Sequence, residues 1–93
     1  MAPSQSHMTI YQVDATEHTE ADYKAGVDMQ WYNVSDYDRG LEARKFAKDY
    51  LAKHPEVIGI RVDRNCLTEG RESLDTTWYK FRHGGEMFDA AVV

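Results

Sequence analysis

The sequence predicts one small α+β domain: a single antiparallel sheet of four to five strands with one main helix packed on one face, in the order β-β-α-β-β-β. Three observations carry this expectation. Between Ser35 and Pro55, apolar residues recur with the 3.6-residue period of a helix. On either side of that stretch, apolar and polar residues alternate with the period of two expected of half-buried strands. The chain itself, 93 residues with 42% apolar and 29% charged side chains, has ordinary globular composition and the length of one domain. A domain of this size buries only about 60–65% of its unfolded surface, so modest stability is expected.

Taken in order, residues 1–7 hold nothing that packs and end in His7-Met8, a dipeptide that a common cloning site encodes. They are expected to be a cloning remnant or a disordered tail, with the domain over residues 8–93. Ile10, Tyr11 and Val13 make residues 8–14 a strand. Residues 15–26 are polar; Thr19-x-x-Asp22 caps a single helical turn there, or the stretch is a long hairpin loop. Val27, Met29 and Trp31 alternate with Asp28, Gln30 and Tyr32, which reads as the second strand.

Ser35-x-x-Asp38 has the form of a capping box and opens the helix, with Asp36 and Asp38 in the first turn where the dipole favours acids. Gly40, Ala43, Ala47, Tyr50 and Leu51 share one arc, flanked by Leu41 and Phe46, opposite Asp38, Glu42, Lys45, Asp49 and Lys53. Lys53 and His54 suit the last turn, and Pro55 stops the helix. Small residues in the middle of the apolar arc point to close packing on a sheet.

Residues 57–62 form the next strand, with Ile58, Ile60 and Val62 on one face, and residues 64–75, polar and charged, are expected to be a loop. Thr77, Tyr79 and Phe81 alternate with Trp78, Lys80 and Arg82 in a further strand. His83-Gly84-Gly85-Glu86 is a hairpin turn whose glycines supply positive φ. Residues 87–93 complete the sheet, with Phe88, Ala90 and Val92 inward. Such a layout covers one sheet face and leaves the other to water or to a partner.

With 11 Lys+Arg and 16 Asp+Glu, the formal net charge is -5, which disfavours a protein that coats nucleic acid by neutralising phosphates. No apolar run approaches the ~18 residues of a membrane span. No basic segment precedes an apolar one as in a secretory signal. One cysteine, Cys66, cannot form an internal disulfide and fits a reducing, cytoplasmic setting. His18, His54, His83 and Cys66 are scattered without metal-ligand spacing, so no metal or other cofactor is expected. Cys66 reads as an inert, partly buried thiol. The many carboxylates guarantee neighbours, but nothing implies a pocket that shifts their pKa values. The chain is expected to act without catalysis.

Charge and aromatics carry the functional expectation. Residues 8–38 contain seven acids (Asp14, Glu17, Glu20, Asp22, Asp28, Asp36, Asp38) and one base, Lys24, for a net charge of -6; residues 39–93 carry +1. A concentrated acidic region steers a basic partner and competes for a site built to hold phosphates; solvated acidic loops are the plainer alternative. If Val27, Met29 and Trp31 face the helix, Tyr32 and Val34 face outward; if Thr77, Tyr79 and Phe81 face it, Trp78, Lys80 and Arg82 face outward, and Tyr32 and Trp78 with Lys80 and Arg82 can then stack bases or anchor a protein interface. In the reversed phase Trp78 packs inside.

The strand Val27-Asp28-Met29-Gln30-Trp31, the Ser35-capped helix through Leu51, the strand Ile58-Gly59-Ile60-Arg61-Val62 and the hairpin around Gly84-Gly85 together resemble small phage-encoded inhibitors. In particular, they are similar in architecture to anti-CRISPR proteins that pack one helix on an antiparallel sheet. The resemblance implies binding to a CRISPR surveillance complex, with acidic residues occupying a basic nucleic-acid channel. The expected function is therefore that of a protein-binding inhibitor whose partner presents a basic surface, met by Asp14, Glu17, Glu20, Asp22, Asp28, Tyr32 and Trp78. Two alternatives stand beside it: a nucleic-acid module using Tyr32, Trp78, Lys80 and Arg82, and a homodimer formed through the edge strand at residues 87–93, which ends in Ala90-Ala91-Val92-Val93.

Overall fold

The computed structural model describes residues 7–88. Seven elements succeed one another: β1 (His7–Thr16), α1 (Glu20–Lys24), β2 (Tyr32–Tyr37), α2 (Gly40–Lys53), β3 (Gly59–Thr68), β4 (Arg71–Phe81) and β5 (Glu86–Phe88). The strands form one antiparallel sheet in the order β2-β1-β3-β4-β5, and α2 packs on one face of it, as the sequence predicts. Residues 1–6 of the expected tail and residues 89–93 of the expected last strand lie outside the described residues, whereas His7 already pairs with Thr68.

The core is set by register. Val13 pairs with Val62, and Val62 with Trp78, so these three form a row across the three central strands. Ala15 and Ile60 form the next row. Ala43, Ala47 and Leu51 of α2 pack on them, with Val57 closing one end. The alanines let the helix axis come close to the sheet, which is what small residues in mid-arc allow.

Trp78 therefore belongs to the core, 1% exposed, and is not an outward-facing aromatic. The phase of β4 is opposite to the expected one, since Trp78 pairs with Val62 on the α2 face; just before it a bulge interrupts the pairing, because Asp63 faces Thr76 and leaves Thr77 as the extra residue. The Thr77 hydroxyl donates to the Val62 carbonyl at 3.0 Å, which satisfies the buried side chain. The indole Nε1 of Trp78 donates to Glu86 at 2.6 Å, and Lys48 of α2 lies 3.3 Å from the same carboxylate oxygen. The Trp78 hydrogen bond, with Lys48 beside it, holds the Glu86 carboxyl below its ordinary pKa against the opposing effect of burial.

Three further expectations are corrected. The second strand is Tyr32–Tyr37, not residues 27–32; Val27 is 43% exposed, and Trp31 turns onto the opposite sheet face. The helix starts at Gly40, preceded by Arg39 without a side-chain cap, because Ser35, Asp36 and Tyr37 pair with Val13, Gln12 and Tyr11 of β1. Backbone pairing along a strand outweighs one local capping box. Residues 64–75 form a hairpin rather than a loop: Thr68 pairs with Arg71 across Glu69-Gly70, both at positive φ (52° and 78°), the geometry of a two-residue primed turn. This hairpin extends past α2, residues 71–76 are exposed on both faces, and no apolar alternation is needed to form it.

Conversely, the single-turn alternative for residues 15–26 is the one that forms. Asp22 N donates to the Thr19 hydroxyl at 3.2 Å, and Thr19 N donates to the Asp22 carboxylate at 3.4 Å, a complete capping box at the start of α1. The turn at residues 83–86 also forms, but its glycines do not adopt positive φ. Gly84 instead gives room, since a Cβ there would displace the carboxylate of Glu20.

Arg82 joins the two layers. Its guanidinium donates to the carbonyls of Leu51 (2.7 Å), His54 (2.7 Å) and Val57 (2.6 Å) at the C-terminal end of α2. Carbonyls in the last turn lack intrahelical partners, and a cation is favoured at that end of the dipole. Arg82 is thus a structural clamp rather than the exposed base the sequence suggests. Arg82→Ala should lower unfolding free energy by about 2–4 kcal/mol, since charged hydrogen bonds are lost and buried carbonyls stranded. Arg82→Lys should recover only part, because an ammonium lacks the planar fork. Urea unfolding of both variants checks this; a loss within experimental error for Arg82→Ala would contradict it.

Candidate functional site

The seven residues predicted to meet a partner do not share one surface. Asp14 lies on β1, on the face away from α2, and is 13% exposed. It accepts from Arg61 at 3.4 Å and from the Asn33 amide at 3.2 Å. Arg61 also contacts Asp63, 2% exposed, at 3.0 Å, and Asp63 accepts from the Thr76 hydroxyl at 2.7 Å. The Trp31 ring covers the Arg61 guanidinium at 4.2 Å. Asp14 therefore works inside a buried network and not at a partner surface.

Glu20 and Asp22 are also occupied within the chain. Glu20 lies 3.8 Å from Lys24 and accepts from the Gly85 backbone at 3.3 Å, which ties α1 to the β4–β5 turn. Asp22 completes the cap of α1 and approaches His18 at 3.3 Å. Tyr23 of α1 packs on Tyr79 and Phe81 with centroids 5.0 and 5.8 Å apart, and Trp31 meets Phe81 at 6.3 Å. One end of the second sheet face is thus covered, rather than left wholly to water or a partner.

What remains outward is a different set. Glu17, Asp28, Asp36 and Asp38 are exposed, as is Tyr32, at 41%. Among the described residues, Glu17, Asp28 and Asp38 have no hydrogen-bond or ion-pair partner, and Asp36 accepts only from Asn33, at 3.0 Å. Tyr32 stands beside Tyr50, Glu17 and Glu56; partial burial first, then these neighbours, raise its hydroxyl pKa. Trp78 takes no part.

The seam between β2 and α2 contains what sequence reasoning missed. Tyr37 meets Phe46 at 5.5 Å, Phe46 meets Tyr50 at 5.6 Å, and Tyr50 stacks on His54 at 4.0 Å. Phe46, Tyr50 and His54 recur at four-residue steps along α2, a spacing visible in the sequence. Tyr37 joins them only because it sits on β2, which assigning residues 35–54 to a helix conceals. A cleft of about 590 Å³ is lined by Tyr37, Glu42, Lys45, Phe46 and Asp49. A second, of about 260 Å³, shares Tyr37 and Glu42 and adds Asp36, Asp38 and Ile10. Lys53 already holds Asp49 at 3.1 Å, whereas Asp38 and Glu42 have no ion-pair partner among the described residues. Aromatic faces beside carboxylates attract cations by two mechanisms at once, ring quadrupole and charge.

Among the described residues no group of three or more His, Cys, Asp or Glu is placed to hold a metal ion. No described helix is long and apolar enough to cross a membrane. Cys66 is half-buried on β3, its Sγ 3.6 Å from the Thr9 hydroxyl.

The buried network yields a pH test. Burial raises the Asp63 pKa above its ordinary 3.8, opposed by Thr76 and Arg61 and reinforced by the Asp14 charge. A raised pKa means the folded state favours the protonated form, so this contribution to stability is present below the ordinary pKa and is lost as pH rises through the folded value. Asp63→Asn has no such titration. Its stability relative to the parent should therefore rise as pH increases from the ordinary value toward neutrality, as thermal melts across that range would show; a constant difference would contradict the assignment. Compared with known protein families, characterised proteins and solved structures, the chain matches none.

Proposed function

We propose that this chain is a non-enzymatic protein-binding module that presents carboxylates to a basic surface of its partner. In its most specific form it is an inhibitor of the phage type, seated on a CRISPR surveillance complex where that complex would hold nucleic acid. The observation that carries the reading is how the acids divide. Of the seven in residues 8–38, Asp14, Glu20 and Asp22 are consumed by internal contacts, while Glu17, Asp28, Asp36 and Asp38 are exposed. The one base in that stretch, Lys24, is paired with Glu20. Exposed carboxylates, of which only Asp36 accepts an internal hydrogen bond, from Asn33, speed encounter with a basic partner and compete with phosphate for it.

The nucleic-acid alternative loses two of its four residues. Trp78 is core and Arg82 is bound to carbonyls, leaving Tyr32 and Lys80. For the homodimer alternative, β5 is an edge strand of the sheet through Glu86–Phe88.

The test is phage plaquing on a host whose CRISPR immunity targets that phage, with the chain expressed in the host. The parent chain should restore plaquing against at least one class of surveillance complex. A variant carrying Glu17→Gln, Asp28→Asn, Asp36→Asn and Asp38→Asn should lose that effect while unfolding at nearly the parent temperature. Asp14→Asn and Asp22→Asn should instead lower the unfolding temperature, because those acids hold the fold. A parent chain without effect on any class, or a fully active quadruple variant, would overturn the reading.

A further inference from the structure

We infer that the β2–α2 seam is the seat for an arginine-bearing segment of the partner, its guanidinium lying on Tyr37 and Phe46 and pairing with Asp36, Asp38 or Glu42. This seat rests on the protein-binding reading and names the chemistry the partner offers. Three features of the seam select the occupant. Its two clefts share Tyr37 and Glu42, so they form one trough of about 590 and 260 Å³ side by side. Its floor is aromatic: Tyr37 and Phe46, 5.5 Å apart and tilted, both line the larger cleft while packing partly on the core. Its rim holds four carboxylates and one ammonium, Lys45, and only Asp49 is already paired with a lysine.

A neutral apolar occupant would leave Asp38 and Glu42 partly desolvated and unpaired, which is costly. A nucleic acid would bring phosphates to a carboxylate rim. Between the two basic side chains, arginine fits better: it stacks on aromatic faces, pairs with carboxylates through two parallel N–H groups and sheds water more readily than an ammonium. The row continues from Phe46 to Tyr50 over a further 5.6 Å, toward Tyr32 with Glu17 and Glu56 beside it. In a polyproline-II segment, with three residues per turn, a second arginine three residues along lies on the same face ~9 Å away and reaches that end. β2 pairs on one side only, with β1, so nothing else in the sheet occupies the path of such a segment.

The test is titration of the isotope-labelled full chain with a short Gly/Ser peptide containing an Arg-Gly-Ser-Arg core, read by NMR amide shifts and calorimetry. Matched peptides carry lysine or citrulline in place of arginine. The arginine peptide should shift amides of residues 36–50, the lysine peptide should bind more weakly, and the citrulline peptide should not bind. Asp38→Asn, Glu42→Gln and Phe46→Leu should each weaken the arginine peptide by about three- to tenfold. The two acid variants change exposed side chains, so they remain informative if Phe46→Leu unfolds. Unchanged affinity in both acid variants would overturn the inference. So would shifts confined to Glu17 and Asp28, in which case the protein-binding reading still stands, because its failure is read separately from plaquing. Seam shifts produced instead by a single-stranded oligonucleotide, or by raising the protein concentration alone, would also overturn it.

Discussion

The attachment of Arg82 to the end of α2 is the constraint on which the rest of the molecule depends. Its guanidinium gathers the carbonyls of Leu51 and Val57 where the chain leaves the helix and turns into β3, and shares the His54 carbonyl with the Val57 N–H. At the same time Ala43 and Ala47 press on Val13, Val62 and Trp78. Held at its end and drawn close along its middle, α2 has no space beneath it for large side chains other than Leu51. Phe46 and Tyr50 are therefore displaced to the flank, where β2 supplies Tyr37 to meet them. The aromatic seam is thus a by-product of close helix packing; of the acids around it, Glu42 and Asp49 come from the polar side of α2, and Asp36 and Asp38 from the end of β2 and the turn after it.

The second sheet face has its own smaller core. Tyr23 from a five-residue helix and Trp31 from the next segment settle on Tyr79 and Phe81, and Trp31 also covers Arg61. Under that cover, one arginine lies between two carboxylates, Asp14 and Asp63. Buried pairs of this kind specify geometry more than they add stability. They also take an acid out of the surface, Asp14, while Glu20 and Asp22, which keep part of their exposure, are engaged by the cap and turn of α1. Charge counted along the chain therefore overstates the charge left free at the surface.

Much of this fold was legible in the sequence, and the exceptions have physical reasons. The α2 arc was readable because Ala43, Ala47 and Leu51 repeat at helical spacing and Pro55 ends the pattern. Its start was not, because Ser35 and Asp38 satisfy a capping rule that takes no account of the β1 edge waiting to pair with them. The long hairpin of β3 and β4 was hidden for another reason: residues 71–76 of β4 are exposed on both faces, so that strand leaves no periodic trace. The phase of β4 was ambiguous because Trp78 and Tyr79 are both large aromatics, so alternation allows either to face inward, and the bulge at Thr77 breaks the period just before them. Of the seven residues expected to meet a partner, Glu17, Asp28 and Tyr32 are exposed. The seam went unread because half of it lies on a strand that sequence periodicity assigns to the helix.

An experimental structure of the chain with the arginine peptide bound tests the central claim most directly. The expected result is a guanidinium against the faces of Tyr37 and Phe46, with the Glu42 or Asp38 carboxylate within hydrogen-bonding distance. A peptide bound elsewhere, on the Tyr23 and Trp31 side or along the exposed hairpin, with the seam vacant, would contradict it.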